Sequence, residues 1–218
     1  NNKGRLTNAK RRKVMNKVIT ISRQYASGGR EVAEKLAKEY GVPFYDRALI
    51  AKAAKESGFA EAAFDNVEMK ATNSLLYSIA MGMNAYGSPD LGYTHLSLDD
   101  RIYIAQSDII RKVADEGPCI IVGRCADYVL RERKDVVNIF IWSSMPFRIK
   151  RAIERDGVEP DKAEETITRM DKRRANYYNY HAIEKWGVVT NYHLAIQNDF
   201  RGVDKTVEVI KQFINSLD

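Results

Sequence analysis

The chain is poor in the residues that build disulfides and metal centres. It has two cysteines, Cys119 and Cys125, and three histidines, His95, His181 and His193. The cysteines lack metal or redox spacing and the histidines are scattered, so reduced thiols and no His-based metal site are expected. Long apolar runs are also missing: none approaches the roughly 20 residues of a membrane span. No signal-peptide pattern surrounds Met15, so a cytoplasmic protein is expected. Internal repeats and low-complexity tracts are absent. Acid is missing from residues 1–17, which hold Lys3, Arg5, Lys10, Arg11, Arg12, Lys13 and Lys17. The remaining 28 basic and 29 acidic residues give −1, so the +6 of the whole chain belongs to that tail. A basic tail can bind nucleic acid. The blander reading, a disordered extension or an upstream start before Met15, is favoured because short basic runs are usually solvated.

What is present suits a soluble α/β domain. Hydrophobic residues make up 44% and charged residues 29% of 218, enough for a sizeable core. Five apolar runs alternate with helical patterns: "KVITIS", "VPFYD", "PCIIVG", "VVNIFIW" and "NYHLAI". None alternates strictly, which suits strands covered on both faces. Helices are expected at 30–40, 47–56 and the C-terminal end, where Val203, Val207, Ile210, Phe213, Ile214 and Leu217 share a face. This order predicts a parallel sheet with right-handed crossovers in one domain over 18–218. Residues 57–96, rich in Ser, Asn, Gly, Met and Tyr, break the rhythm and read as broken helix plus loop. Such an insertion covers a ligand or is a plain surface loop.

The stretch "VITISRQYASGGREVAEKLAKEY" runs from strand through a glycine turn to an amphipathic helix. A helix N-terminus offers unpaired N–H groups and partial positive charge, and glycines let backbone close around phosphate. Ser27, Gly28, Gly29, Arg30 and Glu31 are therefore a candidate phosphate cradle. The P-loop pattern puts Lys and then Ser or Thr after its last glycine. With Gly29 as that glycine, Arg30 takes the Lys position, Glu31 the hydroxyl position and Gln24 that of the first glycine. A glycine turn without a ligand is the competing reading.

Three arginine constellations accompany it. Gly123-Arg124 follows a buried strand, and ligands of open α/β sheets bind outside strand carboxyl ends. An arginine there grips a phosphate or pairs with a surface acid. Arg148, Arg151 and Arg155 form one stripe at helical spacing. The stripe suits a lid closing on polyphosphate, or a solvated face partnered by Glu154 and Asp156. Ile167, Met170 and Arg174 share a face, so Arg174 is expected inward, paired with Asp171 or a substrate phosphate. Tyr177, Tyr178 and Tyr180 could pack under a base, though packing alone is the commoner role.

Together, "ITISRQYASGGREVAEKLA", "PFYDRALI", "CIIVGRCADYVL", "DKRRANYYNYHAIEKWG" and "NYHLAI" resemble the cytidylate kinase-like family of nucleoside monophosphate kinases. The resemblance implies a three-layer P-loop NTPase-type fold. It carries a five-stranded parallel sheet, an NMP-binding insertion over 57–96 and a helical Arg-rich lid over 145–181. It further implies phosphoryl transfer from ATP, with Mg2+, to a nucleoside monophosphate, CMP or dCMP first. By position, Ser27 to Glu31 would hold ATP, and Arg30, Arg148, Arg151, Arg155 and Arg174 would serve catalysis. Asp46, Arg47, Arg101, Arg124, Asp171 and Arg173 would bind the acceptor. The chain departs from the family in having Gly29-Arg30-Glu31-Val32 where cytidylate kinases carry Gly-Lys-Gly-Thr. It also has Cys125 where they have an acid. A kinase for another small acceptor, a nucleotide-sensing module without catalysis and a tail-borne nucleic-acid binder are the competing expectations.

Overall fold

Isoleucine and valine dominate the apolar runs, and their branched side chains pack well on a pleated surface. In the computed structural model, which describes residues 16–46 and 97–217, these runs become β1 (Val18–Arg23), β2 (Phe44–Tyr45), β3 (Ile120–Val122), β4 (Val136–Trp142) and β5 (Leu194–Gln197). The described helices are α1 (Gly29–Tyr40), α2 (Leu98–Asp115), α3 (Ala126–Val129), α4 (Met145–Asp156), α5 (Ala163–His181) and α6 (Gly202–Asn215). The strands form one sheet in the order β2-β3-β1-β4-β5, parallel at every pairing.

Alternation along the strands splits the core in two. Ile19, Ile21, Ile120, Val137, Ile139 and Ile141 pack under α1 and α6. Val18, Ile121 and Val136 face α2 and α3. The result is helix, sheet, helix. Burying one such isoleucine contributes roughly 1.5–3 kcal/mol, so nine large side chains with almost no exposure anchor the sheet and its flanking helices.

Two expectations shift. β5 begins at Leu194 because Val189–Asn191 forms a 3-10 turn ahead of it. Leu217 is 45% exposed beyond the end of α6, while Val207, Ile210 and Ile214 are buried. The helix expected at 47–56, the insertion at 57–96, Arg47, the side chain of Arg101 and the tail up to residue 15 lie outside the described residues. Among the described residues no helix is long and apolar enough to cross a membrane. Cys119 and Cys125 are buried free thiols.

Candidate active site

Parallel strands all point their carboxyl ends the same way, so the segments leaving β1, β3, β4 and β5 converge. The loop after β1 turns through left-handed backbone at Ala26 (φ 56°) and Gly28 (φ 85°). Gly28 caps α1, whose first ladder bond runs from the Val32 N–H to the Gly28 carbonyl at 3.0 Å. The N–H groups of Gly29, Arg30 and Glu31 therefore precede the helical ladder, at the positive end of the helix dipole. A cavity of about 310 Å³ opens over this loop, lined also by Arg151, Arg155, Asp156 and Arg174.

The loop is held from behind. Asn198, fully buried after β5, donates to the Ser27 carbonyl at 2.8 Å. Ser143 Oγ donates to the same carbonyl at 3.0 Å, and the Ser143 N–H donates to Gln24 Oε1 at 3.2 Å. Ser27 is itself buried, its hydroxyl donating to the Gln24 carbonyl at 2.9 Å and accepting from the Gly29 N–H at 3.3 Å. Its side chain thus shapes the turn.

The arginine stripe on α4 is divided between two acids. Arg151 and Arg155 both donate to Glu31 Oε2 at 2.8 Å. Glu31 thus holds this helix against the first turn of α1, and Glu154 and Asp156 are not the partners of the stripe. Arg148 is buried, donates to the Tyr25 carbonyl at 2.8 Å and pairs with Asp171. Asp171 also accepts the Tyr25 N–H at 2.7 Å. Removing either member of a pair this buried typically costs 3–5 kcal/mol. Arg148 and Asp171 thereby clamp the loop backbone.

Arg174 points inward, as its helical face predicts, donating to the Arg23 carbonyl at 3.0 Å with Asp171 3.9 Å away. Burial, then the nearby Arg23 guanidinium, pulls its pKa down to about 9. Arg173 turns instead to Met170 Sδ at 3.5 Å, which separates the two adjacent arginines. Arg30 borders the cavity, but its guanidinium is tied to Asp46 at 2.9 Å and Glu34 at 3.0 Å.

After β3, Gly123, Arg124 and Cys125 are three consecutive left-handed residues (φ 74°, 59° and 54°) ahead of α3. Burial lowers the Arg124 pKa, with the nearby Tyr177 opposing and Arg23 adding to the effect. Asp127 lies buried beneath the turn and accepts from Tyr178 at 3.0 Å. Burial pushes its pKa up to about 6 against that bond. Tyr177 donates to Gln106 at 3.2 Å, and His181 stacks on Tyr103 at 3.9 Å, so these rings pack α5 onto α2. Tyr180 is largely exposed.

Sequence reading missed Arg23, Tyr25, Ser143 and Asn198. Arg23 follows the buried run of β1 as Arg124 follows that of β3, and the criterion that selected Arg124 would have found it. Asn198 carries no local signal, since its role exists only once β5 lies near the loop.

The sheet order, the glycine-bearing loop entering α1 and the arginine-rich helices across the cavity define the P-loop kinase class of α/β proteins. The model of the cytidylate kinase-like family matches residues 18–199, and the chain belongs to that family. A cytidylate kinase of Staphylothermus marinus is 27% identical over 132 residues, covering 56% of this chain and 73% of the relative. An uncharacterized protein from Eubacterium ventriosum has a similar crystal structure. Its TM-score is 0.67 at 28% identity, over 92% of this chain and 99% of that one. Shikimate kinase from Bacteroides thetaiotaomicron shares the fold, with a TM-score of 0.51 at 12% identity over 90% and 97% of the two chains.

Proposed function

We propose that the protein transfers a phosphoryl group from ATP to a nucleoside monophosphate, with CMP or dCMP the first candidates. The observation that carries this reading is the single cavity where the α1 N-terminus, Arg151, Arg155 and Arg174 meet. Family membership supports phosphoryl transfer to a small acceptor, and the CMP preference follows the activity named for the Staphylothermus relative. In the proposed reaction an acceptor phosphate oxygen attacks the γ-phosphorus. The bond to the β–γ bridging oxygen breaks, and ADP leaves with that electron pair. The chain's part is to align the two substrates and to offset negative charge with backbone N–H groups and guanidinium groups. Asp46 and Arg124, on the β2 and β3 side, would meet the acceptor.

Magnesium fits this cavity as an ion carried by the polyphosphate. Among the described residues no cluster of three or more ligating side chains could hold a metal alone. Such an ion commonly takes one or two carboxylates plus phosphates and water. Glu31, in the cavity wall, would be the carboxylate, and bound magnesium would neutralise phosphate charge.

The pairing of Glu31 with both Arg151 and Arg155 favours a second reading, a nucleotide-binding module that does not turn over. Diphosphate production from ATP and magnesium with CMP, dCMP, UMP and AMP separates the two. Turnover of one acceptor supports the kinase, whereas a flat panel with ATP still raising the melting temperature supports the binding module. A flat panel without ATP stabilisation defeats both.

A further inference from the structure

The P-loop pattern G-x-x-x-x-G-K takes a definite register once the end of the loop is known. Gly28 is the left-handed residue that closes the loop, and Gly29 is the first residue of α1. The lysine of the pattern then falls on Gly29, and its opening glycine falls on Arg23. A cation is missing where the pattern has one, and a cation is present where the pattern has none.

The two positions meet in space. A Cβ on Gly29 would stand 2.7 Å from Cβ of Arg23 and 3.1 Å from its Cγ. The stem of Arg23 therefore lies where a side chain at 29 would begin. Farther out, a Cβ on Gly123 would stand 2.2 Å from Arg23 Nη1. Arg23 thus passes over one glycine and ends against another, lining the loop cavity on its way. Its guanidinium has a weak counter-charge: Asp46 is 3.8 Å away and is shared with Arg30. Arg174 adds a second guanidinium by bonding the Arg23 carbonyl. Burial lowers the pKa of Arg23 against the pull of Asp46, as expected for a cation short of anionic partners.

We propose that Arg23 is the phosphate-binding cation of this loop, replacing the lysine from the opposite end of the loop and meeting the terminal phosphate of the donor polyphosphate where it borders the acceptor side at Gly123 and Arg124. This rests on the reading of the loop as the donor site and names a residue for it. A planar fork can serve two oxygens at once, which a lysine ammonium cannot do with fixed geometry. The proposal also accounts for glycine at 29, where a side chain would collide with the Arg23 stem.

Calorimetric titration of the full chain with inorganic tripolyphosphate, and separately with ATP, tests it. Thermal melting verifies that each variant folds. Arg23→Met keeps the stem over Gly29 and removes the charge, and it should weaken both ligands at least about tenfold. Arg23→Gly should weaken them similarly. Adding Gly29→Lys to Arg23→Gly should recover most of the loss, because the Arg23 stem is gone and only Ile141 Cβ, 3.3 Å from a Cβ at 29, must give by a few tenths of an ångström. Arg23→Met binding within twofold of wild type would overturn the proposal and leave the donor site standing. A double variant no better than Arg23→Gly would also overturn it, reducing Arg23 to packing. If wild type binds neither ligand, the donor-site reading and this proposal fall together.

Discussion

The loop after β1 and the turn after β3 leave neighbouring parallel strands, and both use left-handed backbone, but they obtain it from different residues. The loop places Gly28 at its tightest point, where a Cβ would stand 2.4 Å from Asn198 Nδ2. The turn places Arg124 and Cys125 in left-handed backbone directly after Gly123. Such a conformation costs a non-glycine residue roughly 1–2 kcal/mol. The loop enters a helix of 12 residues, the turn one of four. A long helix brings a useful dipole and a set of N–H groups, so the loop can bind through its backbone. The short helix offers little of either, and the turn projects a side chain, Arg124. Both segments mix glycine with strained residues, but the loop strains only Ala26, whereas the turn strains two residues and presents a cationic side chain from one of them.

The largest effect that would break this contrast is expected at Gly28. Gly28→Val adds a branched side chain at positive φ against a buried amide. A loss of about 3 kcal/mol or more in urea unfolding is expected, together with loss of ATP binding. A fully stable, ATP-binding variant would mean that the loop tolerates another path. A smaller effect, of opposite sign, is expected at Glu31. Glu31→Gln releases Arg151 and Arg155 from their shared carboxylate. Without magnesium, tripolyphosphate affinity should rise about fivefold to tenfold by titration. Unchanged affinity would show that the carboxylate does not compete with the ligand for these arginines. The smallest stability effect is expected at Arg124. Arg124→Gly removes left-handed strain but adds chain entropy to the unfolded state and gives up a partly buried side chain, so a stability loss of about 1–2 kcal/mol is expected. Acceptor KM should rise at least about tenfold in the same variant. A large stability loss there would recast the turn as structural, like the loop.

Much of the scaffold was legible from local pattern. Five apolar runs became five parallel strands, and the Ile167–Met170–Arg174 spacing brought Arg174 inward. The spacing of Arg148, Arg151 and Arg155 announced a shared helical stripe, but their destinations were invisible. Glu31 and Arg151 are 120 residues apart. Arg148 meets Asp171 across the turn between α4 and α5, and meets Tyr25 from 123 residues away. Position alone makes Arg30, directly after Gly29, the expected loop cation. Its actual bonds go to Glu34 one turn on and to Asp46, which follows β2 where the α1 crossover returns the chain to the sheet beyond the position of β3.

Periodicity and composition by themselves determined the strand–helix order, the parallel sheet and the presence of a glycine turn at the first helix. These are local consequences of which side chains repel water and which backbone angles a residue permits. Only the tertiary structure decided which arginines face the cavity, which are tied to acids and which glycine closes the loop. Charge pairing depends on distances between segments far apart in sequence, and a single carboxylate such as Glu31 redirects two arginines once the fold brings them within 2.8 Å.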